Sequence, residues 1–151
     1  MCVHPAPLFL VIAIGPFSIW GIDFTICTPA SAGGHKYIIV AVDYFMKWAE
    51  DMPKIRNNGE TVAIFIFNQI ITRFGVPWKI FPNHGTHFEN TMMKELSAKL
   101  GFRHDQSSPY YPQSNGQVEA VTKVMKNMLH RMVNKHRTNW HLVIFLDTTH
   151  F

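Results

Sequence analysis

Residues 37–42 read Tyr-Ile-Ile-Val-Ala-Val, an apolar run with no charge inside it. A strand with one wet face alternates apolar and polar positions, whereas a strand covered on both sides is apolar at nearly every position. The run therefore predicts a sheet lying between layers of helices. Upstream, Trp20-Gly-Ile-Asp-Phe-Thr-Ile-Cys27 is rich in β-branched and aromatic residues and predicts a second strand. Thr28 to Gly34, with Pro29 and the Gly33-Gly34 pair, is the turn between them. Downstream, Asp43 to Met52 is expected as a third strand, ended by Pro53. The links are short, which favours antiparallel pairing of all three.

Beyond the strands the period changes. Asn58 or Gly59 caps a predicted helix from Glu60 to Phe74, with Gly75 at its C-terminal end and Pro77 beyond. That helix is apolar nearly all round, so it is expected to be buried. A short strand at Trp78–Phe81, a helix at Asn90–Leu100, a short strand at Phe102–Gln106, a polar loop at Ser107–Asn115 and a long helix from Gly116 to about Lys135 complete the order. On the long helix Val118, Val121, Met125, Met128 and Met132 form an apolar stripe. Glu119, Lys123, Lys126 and His130 form a second stripe about 100° away, which reads either as a solvated face or as one acid followed by a basic ladder. The predicted class is mixed α/β with helices on both faces of the sheet.

Composition narrows the function classes. Hydrophobic residues at 47% and charged residues at 16% exclude a disordered chain, and 151 residues suit one domain. A formal charge of +4 is compatible with a polyanionic partner without requiring one. The two cysteines, Cys2 and Cys27, cannot make a disulfide framework, which points to a reducing compartment. Leu8–Ile14 is apolar but far shorter than the roughly 20 residues of a membrane span, and no Lys or Arg precedes it. Neither a membrane nor a small-molecule substrate is expected.

Two carboxylates stand out. Asp23 interrupts an apolar strand, and Glu119 opens the basic-striped helix. Metal-assisted phosphodiester chemistry uses two divalent ions about 3.5–4 Å apart, held by carboxylates that converge from separate elements. Asp23 reads either as such a ligand or as a strand-edge carboxylate, and Asp43, also flanked by apolar residues, is its rival.

Five segments, in order, carry a resemblance. Trp20-Gly-Ile-Asp23-Phe, Ile38-Ile-Val-Ala-Val-Asp43-Tyr-Phe-Met-Lys-Trp48, Arg73-Phe-Gly-Val-Pro77, Gly85-Thr-His-Phe88 and Ser108-Pro-Tyr-Tyr-Pro-Gln-Ser-Asn-Gly-Gln-Val-Glu119 closely resemble the integrase core of gypsy-type LTR retrotransposons, over roughly residues 16–140. The resemblance implies a ribonuclease H-like fold, here a mixed five-stranded sheet with helices on both faces. It also implies a site of two aspartates and a glutamate, the last two separated by 35 residues. By position Asp23 matches the first aspartate, Glu119 matches the glutamate, and Asp43 becomes structural. The second aspartate falls on Asn83, with 35 residues between it and Glu119. The register survives, but the charge does not.

Asn83 keeps a carbonyl oxygen and loses a negative charge. Two Mg²⁺ carry four positive charges, and Asp23 with Glu119 offset only two. Changes even outside the ligand set commonly cost ~10–100-fold, so weakened Mg²⁺ (or Mn²⁺) binding and impaired integration are expected. His84 is a poor substitute, because Mg²⁺ favours oxygen. The resemblance further implies DNA as partner, touched by Lys123 and Lys126 and by Tyr110, Gln113 and Asn115 in the loop. It implies a homodimer and a nuclear location with cytoplasmic transit. Cys2 and His4 match the last ligands of a zinc module that precedes such cores, but two ligands do not close a zinc site. On this reading residues 1–17 are a linker remnant, 18–140 the core, and 141–151 a truncated tail. The alternative is a non-catalytic nucleic-acid-binding or dimerising module.

Overall fold

The computed structural model describes residues 15–82, 91–104 and 112–148, with the backbone only at 82, 112–118 and 145–148. Strand β1 is Ile19–Ile26, β2 is Tyr37–Asp43, β3 is Ala49–Lys54 and β4 is Lys79–Pro82. Their order in the sheet is β3-β2-β1-β4. β1 runs antiparallel to β2, from Trp20 opposite Asp43 to Ile26 opposite Tyr37. β2 runs antiparallel to β3. β4 lies parallel to β1, with Ile19 beside Lys79 and Ile22 beside Pro82.

The two-sided burial read from residues 37–42 is present. Ile39 and Ala41 join Trp20, Ile22 and Ile80 in a core on one face of the sheet. Ile38, Val40 and Val42 join Ile19, Cys27 and Phe81 in a second core on the other face. The period of two in a strand is what sorts these neighbours to opposite sides.

The first face is covered by two helices. One begins behind Asn58, whose side chain accepts a hydrogen bond from the Thr61 amide at 2.9 Å. It is α-helical over Gly59–Phe65, π-helical over Ile66–Ile71 and α-helical again over Thr72–Phe74, and these stretches run on as α1. Gly75 ends it at φ 93, a value that glycine adopts without strain. Val62, Phe65, Ile66 and Ile70 of α1 are buried, while Ile64 and Phe67 are about half exposed, so α1 is less enclosed than its composition predicts. The second helix, α2 (Thr91–Leu100), adds Met93 to the same core.

The opposite face is covered by α3 (Pro112–His136) and, after a 3-10 turn at Arg137–Asn139, by α4 (Trp140–Thr148). Leu129 and Val133 of α3 and Trp140 and Ile144 of α4 are buried there. The Trp140 indole donates to the Pro29 carbonyl at 2.9 Å, and the Ala32 amide donates to the Thr138 carbonyl at 2.7 Å. These bonds tie the start of α4 to the turn between β1 and β2.

Several expectations are corrected. Among the described residues the sheet has four strands rather than five. The fifth position is a single parallel bridge between Lys79 and Arg103, in which the Ile80 amide donates to Arg103 at 2.8 Å and the Arg103 amide to Trp78 at 3.0 Å. The third strand starts at Ala49, because Asp43 closes a turn: its amide donates to the Trp48 carbonyl at 2.8 Å and its carbonyl accepts from Lys47 at 3.0 Å. Pro53 does not end that strand but lies inside it, opposite Ile38. β3 is an edge strand, where a missing N–H is tolerated. The long helix begins at Pro112, so Gln113 and Asn115 are helical in backbone and not part of a loop. Proline suits a first helical position, since its missing N–H has no partner there in any helix. Finally, Met128 is 56% exposed; the buried stripe passes through Val121, Met125, Leu129 and Met132–Val133 instead.

Candidate functional site

The alternation along β1 fixes where its one carboxylate points. Ile19 and Cys27 pack with α3 and α4, so Asp23 and Thr25, of the same parity, face that side too. Asp23 is 8% exposed. Its Oδ1 accepts from the Phe24 amide at 2.8 Å, and its Oδ2 is ion-paired with the Lys126 ammonium of α3. Two residues along the strand, the Thr25 hydroxyl shares a hydrogen bond of 3.0 Å with His130 Nε2. Four residues of helix rise about 6 Å and two residues of strand about 6.6 Å, so the two contacts keep step. The helix therefore runs alongside β1, and its rotation is set by Leu129 and Val133 in the core.

Glu119 is exposed at the other end of the same helix. The Tyr44 phenol is pushed up to about 12, first by burial and then by the Glu119 charge. Tyr44 follows β2 directly, and its amide donates to the Ile19 carbonyl at 2.9 Å. Asp23 and Glu119 thus address different points along one face of the sheet. β4 ends at Pro82, the register partner of Ile22, one residue before Asp23 on the neighbouring strand.

Asp43 is a different kind of carboxylate. It is fully buried, Oδ1 accepts from the Phe17 amide at 3.0 Å, and Oδ2 accepts from the Met46 amide at 2.7 Å. Burial raises its pKa above the ordinary 3.8 and outweighs these bonds and Lys47, which act the other way. It fastens the chain entering β1 to the turn leaving β2, a structural task.

The expected site residues are distributed as follows. Asp23, Glu119, Lys123 and Lys126 border one face of the sheet, with Lys123 exposed and Lys126 on Asp23. Asn83 and Tyr110 lie outside the described residues, as do Cys2, His4, His84 and His87, and Gln113 and Asn115 are placed by backbone alone. Among the described residues no three His, Cys, Asp or Glu side chains are grouped so as to hold a metal ion. The Asp23 oxygens are nevertheless donors of the hard kind that Mg²⁺ takes.

Two features escaped the sequence reading. One is the pairing of Lys126 and His130 with β1, which joins residues more than 100 positions apart. The other is a histidine pair where α4 meets the β1–β2 turn. His35 and His141 stack at 5.0 Å, and the Ser31 hydroxyl lies 2.9 Å from His35 Nδ1. The His35 pKa is lowered by burial, then by His141, then by Lys54. Cys27, just past the end of β1, is buried in the core, and burial pushes its thiol up to about 11.

Known proteins resemble the chain along most of its length. The family profile for the integrase core domain matches residues 14–112. The chain is 32% identical over 125 residues to the Gag-Pol polyprotein of Avian reticuloendotheliosis virus, covering 83% of this chain and 11% of that protein. It is 36% identical over 117 residues to the Pol polyprotein of Feline endogenous virus ECE1, covering 78% of this chain and 11% of that protein. The match to the Gag-Pol polyprotein of Baboon endogenous virus (strain M7) is also 36% over 117 residues, covering 78% of this chain and 7% of that one. The chain thus spans about a tenth of the length of these curated relatives. Among solved structures it resembles the catalytic core domain of BIV integrase, with a TM-score of 0.66, 24% identity, and coverage of 85% of this chain and 79% of that one. That likeness speaks for the fold, which is the ribonuclease H-like arrangement expected from the sequence. Among the described residues no helix is long and apolar enough to cross a membrane.

Proposed function

Because the chain belongs to the integrase core domain family, we propose that it is the DNA-integrating core of a retrotransposon of the gypsy type, with its phosphoryl-transfer centre impaired. The observation that carries this reading is Asp23: a carboxylate in the middle of an apolar strand, aimed at the face bordered by Glu119, Lys123 and Lys126. The reaction class is attack of water, and then of a DNA 3′-hydroxyl, on a phosphodiester. Asp23 and Glu119 would hold Mg²⁺ or Mn²⁺, with Asn83 at the third ligand position. The ion would offset charge on the phosphate and on the leaving oxygen. On the strand beside β1, the last described residue, Pro82, is the register partner of Ile22.

Lys123 sits one helical turn beyond Glu119 and is exposed, suited to neutralise a phosphate beside the reacting bond. Gln113 and Asn115, in the first turns of α3, and Tyr110 ahead of it would add contacts to DNA. A homodimer and passage to the nucleus belong to the same reading. Strand transfer by the native chain and by Asn83→Asp, each with Mg²⁺ and with Mn²⁺, tests it. The native chain is expected to be at least about tenfold weaker than Asn83→Asp. A fully active native chain that gains nothing from the reversion would show that Asn83 is no defect.

A second reading, a nucleic-acid-binding module without catalysis, is favoured by the Lys126 ammonium already on Asp23. It predicts DNA binding that weakens with salt and is unchanged by EDTA. Absence of DNA binding at low salt would count against both readings.

A further inference from the structure

Lys126 does more than decorate a basic stripe. Asp23 is nearly buried inside a strand, and a buried carboxylate needs a hydrogen-bonded partner of opposite charge. Lys126 supplies one from the facing helix, and its side chain is 28% exposed against 11% for that of Asp23. The root of Lys126 cannot turn away, because Leu129 and Val133 hold α3 by its buried side and His130 is bonded to Thr25 one turn further on. The long side chain, however, has an open path to solvent. An ammonium on that carboxylate and a divalent ion on the same oxygens exclude one another, as do an ammonium held inward and the same ammonium on a DNA phosphate.

We infer that Lys126 is the resident counter-cation of Asp23, occupying the place that a divalent ion would need and yielding it only when displaced. The inference rests on the reading of Asp23 as a cation-binding carboxylate. It assigns Lys126 a gating role distinct from that of Lys123, which lies outside the pair. It also gives the Asn83 position a second consequence. With one carboxylate fewer to attract it, a divalent ion has less advantage over the ammonium already in place.

The test is Mn²⁺ titration followed by electron paramagnetic resonance, with thermal melting as a second readout, on the native chain, Lys126→Gln, Asp23→Asn/Lys126→Gln and Asn83→Asp. Removing the ammonium makes all Asp23 carboxylates available, so Lys126→Gln is expected to bind Mn²⁺ at least about tenfold more tightly than the native chain. Without metal it should melt below the native chain, and Mn²⁺ should raise its melting point more than it raises the native one. The double variant has no charge to neutralise. It should lose the Mn²⁺ gain and melt above Lys126→Gln in EDTA. If Lys126→Gln binds Mn²⁺ no more tightly while Asn83→Asp does, the counter-cation inference fails alone. If neither gains, the inference and the reading of Asp23 as a metal ligand fail together. Retention of the Mn²⁺ gain by the double variant would also overturn it, since the gain would then come from elsewhere.

Discussion

Asp23 and Asp43 occupy nearly identical sequence surroundings, each a lone carboxylate in an apolar strand, and their chemistry differs through what faces them. Asp43 is enclosed by backbone amides, Asp23 by a lysine from another element. The Asp43 pKa is raised, so the folded state favours its protonated form. Stability from that preference is full below the ordinary value and is lost as pH rises through the raised value. Asp43→Asn should cost about 1–3 kcal/mol in urea unfolding, because the amide nitrogen cannot accept and leaves the buried N–H of Phe17 or Met46 without its partner. The gap to the native chain should narrow as pH rises from about 4 towards 7. A gap that widened over that range would contradict the raised pKa. The sequence distinguished these two aspartates only through the family resemblance. Side-chain partners 100 residues away leave no trace in local patterning, which is why the attachment of Lys126 to Asp23 could not be read either.

At the level of elements, periodicity was legible and the ends of elements were less so. Residues 37–42 announced a strand covered on both sides, and Asn58 and Gly75 marked the ends of α1 as expected. The start of β3 was misplaced because Tyr44-Phe45 looks strand-like, whereas the Asp43 side chain and the positive φ of Lys47 make a turn there. The start of α3 was misplaced because Gln, Ser, Asn and Gly read as loop, although Pro112 can open a helix. The α4 attachment has its own signature. His35 titrates below its ordinary value near 6.5, so the stability it confers is complete above that value and drains away as pH falls through the lowered one. Hydrogen-exchange protection of α4 is therefore expected to fall on acidification towards about pH 5, and His35→Gln should flatten that fall. Equal acid sensitivity in both proteins would remove His35 from the attachment.

For the molecule as a whole, the charge of +4 has a consequence that depends on where it is displayed. Lys123 is exposed, and its replacement should weaken DNA binding about equally for all sequences while lowering the salt slope by about one. Binding measured from low to moderate salt on the native chain and Lys123→Gln decides this, and an unchanged slope would take Lys123 out of the DNA surface. The layered fold was legible because two strands and a long helix carry strong periodic patterns. The size of the sheet was not, because among the described residues its fifth position is a single bridge at Arg103 rather than a patterned run. Both cores share β1 and β2, but they are completed at different times during synthesis. Among the described residues one draws on nothing beyond Phe102, while the other waits for Trp140 and Ile144. A ribosome that has delivered the first three strands thus leaves one apolar side of them bare until α3 and α4 have been made. Folding of that side waits on slow, long-range contacts and leaves the nascent sheet exposed to chaperones or to aggregation until Trp140 and Ile144 have been made.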